Sequence, residues 1–239
     1  MQIESVNNPK IKNLIKLKEK KYRDLTNTFI VEGDHLVREA LKKDLVIELY
    51  SLNDEDYRVP SFKITEAVMK KITNQVSISP IIALCKKMGE EAIKGPVLIL
   101  DSIQDPGNLG TIIRSAVAFS MPNIIISDDS VDLYNPKVIR STEGMIFHVN
   151  VIRKNLSEYL PALKKDYQII GTDVRRGVNI RDLSLNSNYG IVIGSEGSGM
   201  GVSKDFCDTF IKIPMSDKCE SLNAGVSASI IMYECDNHE

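Results

Sequence analysis

A glycine-rich loop near the C-terminus constrains this chain more than any other feature. The run Tyr189 to Ile193 is rich in β-branched residues, which predicts a strand, and Gly194-Ser195-Glu196-Gly197-Ser198-Gly199-Met200-Gly201 follows it. Because glycine lacks a side chain, such a loop lets backbone N–H groups approach a ligand closely. Ligands of α/β proteins sit beyond the carboxyl ends of strands. We therefore predict a binding site here, with an ordinary turn as the alternative.

A second β-branched run leads into a second polar loop. Ile211-Lys212-Ile213-Pro214-Met215 precedes Ser221-Leu222-Asn223, after which small residues predict a helix. Neither common nucleotide fingerprint fits the first loop. The dinucleotide pattern starting at Gly197 would need glycine where Val202 stands, and the P-loop would need Gly-Lys-Ser/Thr. An unrelated nucleotide-binding α/β enzyme is therefore a disfavoured alternative.

The length and composition predict a globular protein of the cytoplasm. The chain has 239 residues, enough for one large or two small domains. It contains no apolar run long enough to span a membrane, and its N-terminus lacks a signal-peptide pattern. The four cysteines form no C-x-x-C pair, and the three histidines lie far from them in sequence. The spacing therefore predicts no metal site.

The charge is distributed unevenly along the chain. Residues 1–95 carry 17 Lys and Arg against 14 Asp and Glu, whereas residues 96–239 carry 13 against 18. The densest basic patch has seven cations and one acid between Lys10 and Arg23. It is either a solvated helix face or a surface that contacts an RNA backbone. The candidate RNA-binding residues are Lys10, Lys16, Lys18, Lys20, Lys21 and Arg23.

The first 94 residues predict a small α/β domain. A helix is expected from Asn8-Pro9 to about Lys20, since asparagine is a good N-cap and proline suits the first helical position. Hydrophobic periodicity then predicts strands and helices in alternation: a strand at 29–33, a helix at 34–43, a strand at 46–50, a helix at 65–72 and a strand at 81–85. A charged, glycine- and proline-containing stretch at 90–96 places the boundary near residue 94.

Residues 95–239 predict a larger α/β domain with a mostly parallel sheet, because strands and helices alternate. Strands are expected at 97–101, 123–127, 147–152, 167–172 and 189–193. Helices are expected from Asn108 or Thr111, from Asn135 towards Gly144, and at 156–165. Asn108 alone could be a plain N-cap, and Arg114 alone a surface cation.

Three segments together carry a specific resemblance. They are Asp105-Pro106-Gly107-Asn108-Leu109-Gly110-Thr111-Ile112-Ile113-Arg114, then Gly194 to Met200, then Ile213-Pro214-Met215 with Ser221-Leu222-Asn223. In this order they resemble the three motifs of the SpoU (TrmH-like) RNA methyltransferases of the SPOUT superfamily, over residues 96–236. The front, notably Phe29 to Val37, looks like the family's L30e-like substrate-binding domain, a less specific match.

The resemblance implies a C-terminal SPOUT domain with a deep trefoil knot, an obligate homodimer, and methyl transfer from S-adenosylmethionine to a ribose 2′-hydroxyl of RNA without a metal. General topology rules argue against knots. The catalytic residues it implies are Arg114, Asn108, Glu196, Ser221 and Asn223. Arg114 is either the general base or a cation that holds a phosphate and the developing alkoxide, because a guanidinium keeps its proton to about pH 12.

The resemblance also implies a cofactor site at Thr172, Gly194, Ile213 and Leu222. Ile213 and Leu222 could alternatively be core residues, and could fill both roles. The basic patch and the ribosomal-protein-like front favour 23S ribosomal RNA as the substrate, with transfer RNA as the alternative. A catalytically silent RNA-binding protein of the same fold is a further alternative. One departure is Glu143, where relatives often carry a small or apolar residue.

Overall fold

The computed structural model describes residues 2–54, 57–73, 78–197 and 199–236. The chain forms two compact units. The front unit contains residues 1–89 together with 132–147, and the second unit contains 90–131 and 148–239. Segment 132–147 was predicted to belong with the second domain.

The front unit contains a five-stranded mixed sheet with helices. Its elements up to residue 89 are β1 (Gln2–Ile3), α1 (Pro9–Lys16), α2 (Lys20–Thr26), β2 (Thr28–Glu32), α3 (Asp34–Lys42), β3 (Val46–Ser51), β4 (Ser61–Ile64), α4 (Glu66–Ile72) and β5 (Ile81–Lys86). The strand order is β1-β4-β3-β5-β2, with β5 antiparallel to both of its neighbours. The strands β1 and β4 were not predicted, since two and four residues carry too little periodicity.

The first helix begins as predicted and ends earlier. The side chain of Asn8 accepts the N–H of Lys10 at 2.9 Å, and Pro9 occupies the first turn. The prediction that the helix continues to about Lys20 was wrong. It ends at Lys16, and the carbonyls of Leu17 and Lys18 instead accept hydrogen bonds from Nη1 of Arg23, at 2.7 and 2.9 Å.

Arg23 is buried and explains why segment 132–147 packs with the front unit. Its side chain is 4% exposed, and its Nη2 lies 2.5 Å from Oδ2 of Asp132. The ring of Tyr134 packs against Phe29 with centroids 4.7 Å apart, and the N–H of Met88 donates to its hydroxyl at 3.0 Å. Arg23 was predicted to contact RNA because of its charge alone. Because its side chain is buried, it is no longer a candidate for RNA contact.

The second unit contains a seven-stranded parallel sheet. The elements from residue 90 onward are β6 (Val97–Leu100), α5 (Pro106–Ala118), β7 (Asn123–Ser127), α6 (Pro136–Ser141, in the front unit), β8 (Asn150–Lys154), α7 (Leu156–Leu163), β9 (Gln168–Thr172), β10 (Val178–Asn179), β11 (Tyr189–Ile193), β12 (Thr209–Lys212) and α8 (Ala224–Asp236). The order is β10-β12-β9-β11-β6-β7-β8, and every pair is parallel. The α/β class and the parallel sheet are confirmed.

Three predicted boundaries in this half were wrong. The N-cap of α5 is Asp105, whose carboxylate accepts the N–H of Asn108 at 2.8 Å, so Asn108 is free for another role. The helix expected to reach Gly144 ends at Ser141. Residues 145–148 form a 3₁₀ turn, so the strand predicted from residue 147 begins at Asn150.

Central strands of this sheet are buried on both faces, as strands of a parallel sheet are when helices cover them. All residues of β6, β7 and β11 are buried. No helix within the described ranges is long and apolar enough to cross a membrane.

Removal of the Arg23 guanidinium should destabilise the front unit. We expect Arg23→Ala to cost about 3–5 kcal/mol, because Asp132 would keep a largely buried charge without its partner. Arg38→Ala is the matched control. Arg38 pairs with Asp34 at 2.8 Å, but both side chains are more than half exposed, so the loss should stay below about 1 kcal/mol. Urea denaturation of both variants measures the difference, and equal shifts would contradict the structural role of Arg23.

Candidate active site at the carboxyl edge of the parallel sheet

The functional loops lie at one edge of the parallel sheet. Strands β6, β9, β11 and β12 are neighbours and run in the same direction, so the loops that follow them leave from the same edge. The α5 motif follows β6, the glycine-rich loop follows β11, and the Ser221–Asn223 loop follows β12. Segments distant in sequence are brought together by this topology.

The glycine-rich loop is closed by its own backbone. Ser195 and Gly199 exchange N–H···O=C hydrogen bonds of 2.9 and 3.0 Å. At Gly194 an added Cβ would lie 2.3 Å from the carbonyl carbon of Gly199 and from the nitrogen of Met200. Gly199 has a φ of +70°, a conformation that glycine adopts without strain. Glycine is therefore required at residues 194 and 199 for different reasons.

Three predicted catalytic residues form one hydrogen-bonded network. The Oε1 atom of Glu196 accepts hydrogen bonds from Nδ2 of Asn108 at 2.8 Å, from Nδ2 of Asn223 at 2.6 Å and from the N–H of Ala224 at 3.0 Å. Nδ2 of Asn223 also donates to Oδ1 of Asn108 at 2.8 Å. The network joins the loops after β6, β11 and β12.

The network leaves one carboxylate oxygen available. Oε2 of Glu196 has no hydrogen-bond partner recorded among the described residues, and the Glu196 side chain is exposed. Oδ1 of Asn223 accepts the N–H of Val226 at 3.2 Å, which fixes Asn223 at the start of α8. Glu196 is thus held by one oxygen while the other can accept a proton or a hydrogen bond from a ligand.

Arg114 does not join this network. It lies six residues beyond Asn108 on α5, about 120° around the helix from it. Its side chain is exposed, and it makes no hydrogen bond or ion pair recorded for the described part of the chain. An unpaired guanidinium at this position can bind a carboxylate or phosphate through two N–H groups.

A cavity of about 560 Å³ lies beside the network. All four predicted cofactor residues line it, together with Glu196 and Ser221. Its volume is in the range of small-molecule sites. The hydroxyl of Thr172 donates to the carbonyl of Val192 at 2.9 Å, so its side chain ties β9 to β11. A second cleft of about 460 Å³ lies among polar residues at the start of β9, away from the motifs.

Sequence reasoning missed the charged residues of the cavity. Asp173, Arg175 and Arg176 come directly after β9, and Lys212 is the last residue of β12, so their position at a strand end was the available signal. Lys204 lies between β11 and β12 and had no such signal. The backbone N–H of Arg175 donates to Asp173 at 2.8 Å and that of Arg176 at 3.1 Å. The Arg175 bond is the main cause of a lowered pKa at Asp173, which burial opposes, so this carboxylate is ionised at neutral pH.

The lysines of the basic patch are partly neutralised. Lys10 pairs with Glu48, Lys20 with Asp24 at 3.4 Å, and Lys21 with Glu19 at 3.0 Å. The ammonium of Lys18 donates to the carbonyl of Lys71 at 3.1 Å. Lys16 lies over the ring of Tyr22, 5.7 Å from its centroid. These five lysines remain candidates for RNA contact.

No group of three or more His, Cys, Asp or Glu side chains could hold a metal ion within the ranges that the structure covers. That the site works without a metal stays a prediction.

Comparison with known proteins gives the family. The model of the SpoU rRNA methylase family matches residues 95–233, and that of the MRM3-like substrate binding domain matches residues 8–83. This chain therefore belongs to the SpoU rRNA methylase family, as the three motifs predicted. The predicted boundary at residues 94 and 95 stays a prediction.

Two curated relatives and one solved structure illustrate the likeness. The 23S rRNA (guanosine(2553)-2′-O)-methyltransferase RlmP of Bacillus subtilis is 35% identical over 97% of this chain and 98% of its own length. A Staphylococcus aureus protein assigned to the TrmH family of tRNA/rRNA methyltransferases is 33% identical over 83% of this chain and 86% of its own. A structure from Porphyromonas gingivalis, assigned to the TrmH family of RNA methyltransferases, has a TM-score of 0.89 at 26% identity, covering 98% of this chain and 100% of that one.

The close backbone contact at Gly194 gives a sharp test of the loop geometry. Gly194→Ala should destabilise the second unit by about 1–3 kcal/mol, because the new methyl group cannot fit against Gly199 without a backbone shift. Gly197→Ala is the matched control, since nothing lies within 4 Å of its added Cβ. It should change stability by less than about 0.5 kcal/mol. Urea midpoints and amide exchange at Ser195 and Gly199 report the result, and a neutral Gly194→Ala would refute this loop geometry.

Proposed function

We propose that this protein transfers a methyl group from S-adenosylmethionine to a ribose 2′-hydroxyl of 23S ribosomal RNA. The observation that carries the proposal is the Glu196–Asn108–Asn223 network beside a cavity lined by all four predicted cofactor residues. Three loops supply this arrangement, so it requires the fold of the family as well as the motifs.

The RNA class is supported by the relatives. The Bacillus subtilis relative, similar along the whole chain, carries a name that specifies guanosine 2553 of 23S rRNA and its 2′-oxygen. A guanosine of 23S rRNA is therefore the expected substrate. The name of the Staphylococcus aureus relative includes tRNA, which keeps transfer RNA as the second candidate.

The cavity fits S-adenosylmethionine chemically. Ile193, Ile213 and Leu222 offer apolar surface for an adenosine, while backbone groups near Gly194 can hydrogen-bond its polar edge. The carboxylates of Asp173 and Glu196 complement positive charge. When bound, the cofactor supplies an electrophilic methyl group on a positively charged sulfur.

The residues of the network would handle the ribose hydroxyl. An alcohol is a poor nucleophile at neutral pH, so the site must accept its proton or stabilise the negative charge that develops. The free Oε2 atom of Glu196 can accept that proton. The carboxamides of Asn108 and Asn223 orient Glu196, and the hydroxyl of Ser221 adds a polar group at the cavity wall.

Arg114 suits electrostatic stabilisation better than general-base catalysis. A charged guanidinium has only hydrogen-bond donors and no acceptor, so it is poorly suited to take a proton from an alcohol. Its exposed position allows it to bind an RNA phosphate and the developing alkoxide. The base role stays open as the alternative and would require an unusual loss of its proton.

A C-terminal trefoil knot built from the second and third motif regions is part of the proposal. Support comes from a close passage of two segments that are distant along the chain: an added Cβ at Gly177 would lie 2.2 Å from the carbonyl carbon of Ile211. The strand order, in which β9 lies between β12 and β11, is compatible with a threaded chain.

The front unit is proposed to be an L30e-like domain that binds the substrate. The match to a substrate binding domain over residues 8–83 supports this role. The exposed lysines of α1 and α2 are proposed to contact the RNA backbone. Dimerisation through α8 is proposed because Val226 and Tyr233, seven residues apart, are 44% and 53% exposed. A cytoplasmic location follows from the proposed substrate.

The test is methyl transfer from labelled S-adenosylmethionine to unmodified 23S rRNA transcripts, total tRNA and immature large subunits, followed by mapping of 2′-O-methylated nucleotides. We expect label at one guanosine of 23S rRNA. Label in tRNA alone would show that transfer RNA, and not 23S rRNA, is the substrate. Cofactor binding without label in any of the three RNAs would contradict the reaction, and no cofactor binding would favour the silent RNA-binding protein.

Arg114→Ala should lower kcat at least about 100-fold, as loss of a transition-state donor does. The dissociation constant for S-adenosylmethionine should change less than threefold, because Arg114 does not line the cavity. Arg114→Lys keeps the positive charge but loses the planar guanidinium. Its kcat should lie between those of the wild-type protein and Arg114→Ala. A large loss of cofactor binding by a folded Arg114→Ala dimer would refute this role.

Neutralising the basic patch should reduce the salt dependence of RNA binding. Lys16, Lys20 and Lys21 are exposed, and the triple change to Gln should lower the slope of log K against log salt by about 2 to 3 units. The control changes Lys42, Lys43 and Lys70, which are also exposed in the front unit, to Gln. If both triple variants change the slope equally, the patch has no special role.

A further inference from the structure

Asp101 is a buried carboxylate that the proposed mechanism does not use. It follows β6 directly and is 2% exposed. Its Oδ2 atom accepts the N–H of Gly201 at 2.8 Å, the N–H of Ser203 at 3.2 Å and the hydroxyl of Ser203. A buried carboxylate is costly unless donors surround it, and three donors on one oxygen meet that requirement.

The partners of Asp101 lie at both ends of the glycine-rich loop. Its backbone N–H donates to the carbonyl of Ile193 at 2.9 Å, immediately before the loop. Its side chain binds Gly201 and Ser203, immediately after the loop. One residue therefore fixes the start and the end of the segment that carries Gly194, Glu196 and Met200.

The loop held in this way forms a wall of the cavity. Gly194, Ser195, Glu196, Gly197, Gly199 and Met200 all line it. Between its two fixed ends the loop is closed only by the Ser195–Gly199 pair among the backbone bonds described for these residues. If the Asp101 carboxylate released Gly201, both the wall and the Glu196 carboxylate would gain freedom.

We propose that Asp101 is a positioning residue that holds the glycine-rich loop in the shape that binds S-adenosylmethionine. The proposal rests on the proposed function, since it assigns the cofactor to that cavity. Asp101 touches neither cofactor nor RNA, and it acts through Gly201 and Ser203. The ordering of the loop before binding lowers the entropy lost when the cofactor binds.

Asp129 offers a matched control for the charge change. It lies at the same edge of the sheet, and its Oδ2 accepts the hydroxyl of Ser102 at 2.5 Å while its Oδ1 accepts that of Ser127 at 2.5 Å. These bonds lower its pKa, with that from Ser102 as the main cause, so Asp129→Asn removes an ionised carboxylate from this edge of the sheet. The Ser102 hydroxyl also donates to Oδ1 of Asp101 at 3.1 Å, so the two acids share this donor. Within the described residues, however, no hydrogen bond joins Asp129 to Gly201 or Ser203.

The test compares Asp101→Asn, Ser203→Ala and Asp129→Asn by calorimetric titration with S-adenosylmethionine, well below the unfolding temperature of each variant. Asp101→Asn should raise the dissociation constant at least tenfold, because a neutral amide oxygen accepts the three donors more weakly than a carboxylate oxygen does. Ser203→Ala, which removes one donor, should raise it about threefold. Asp129→Asn should change the dissociation constant less than twofold. Amide exchange at Gly201 and Ser203 should be faster in Asp101→Asn alone.

The outcomes separate this proposal from the proposed function. A folded Asp101→Asn with wild-type affinity overturns it, because a purely structural residue would lower only the unfolding temperature. If Asp101→Asn does not fold, unchanged affinity in Ser203→Ala overturns it. If the wild-type protein binds no S-adenosylmethionine, the proposed function fails and the cofactor role of Asp101 fails with it. Exchange at Gly201 and Ser203 then still shows whether Asp101 holds the loop.

Discussion

The close backbone contact between Gly194 and the Gly199–Met200 peptide determines the shape of the site. No side chain fits between these segments, since a Cβ at Gly194 would lie 2.3 Å from two backbone atoms. The contact folds the loop back on itself and places Glu196 at its tip, where Asn108 and Asn223 bind it. The cavity wall and the catalytic network therefore depend on the same short segment.

Parallel strands make this arrangement possible because they deliver several loops to one edge of the sheet. Asn108 lies 88 residues before Glu196 in the chain, and Asn223 lies 27 residues after it. Each loop is fixed at its base: Asp105 caps α5, Asn223 binds the first turn of α8, and Asp101 binds both ends of the glycine-rich loop. Buried or capping polar groups thus order loops that carry few apolar side chains.

The sequence predicted the parts of this structure whose physics is local. The Asn8 cap, the helix start at Asn135, the strands of the parallel sheet other than β10 and the glycine-rich loop follow from residue type and periodicity. The motifs also identified Glu196, Asn108 and Asn223, which the structure brings together. Arg23 was misjudged, because its burial depends on Asp132, which lies 109 residues further along the chain. Asp101 and Asp173 directly follow strands, but they were missed because that position alone does not show which donors surround an acid.

The central claim is that the cavity enclosed by the loops after β9, β11 and β12 binds S-adenosylmethionine beside the Glu196 network. A crystal structure with S-adenosylhomocysteine, the product that has lost the methyl group, tests it most directly. We predict the adenosine against Ile213 and Leu222, with the sulfur facing the Glu196 network and the Ser195–Gly199 pairing intact. Binding at the polar cleft near Gln168, or in the cavity with the sulfur facing away from Glu196, would contradict the account.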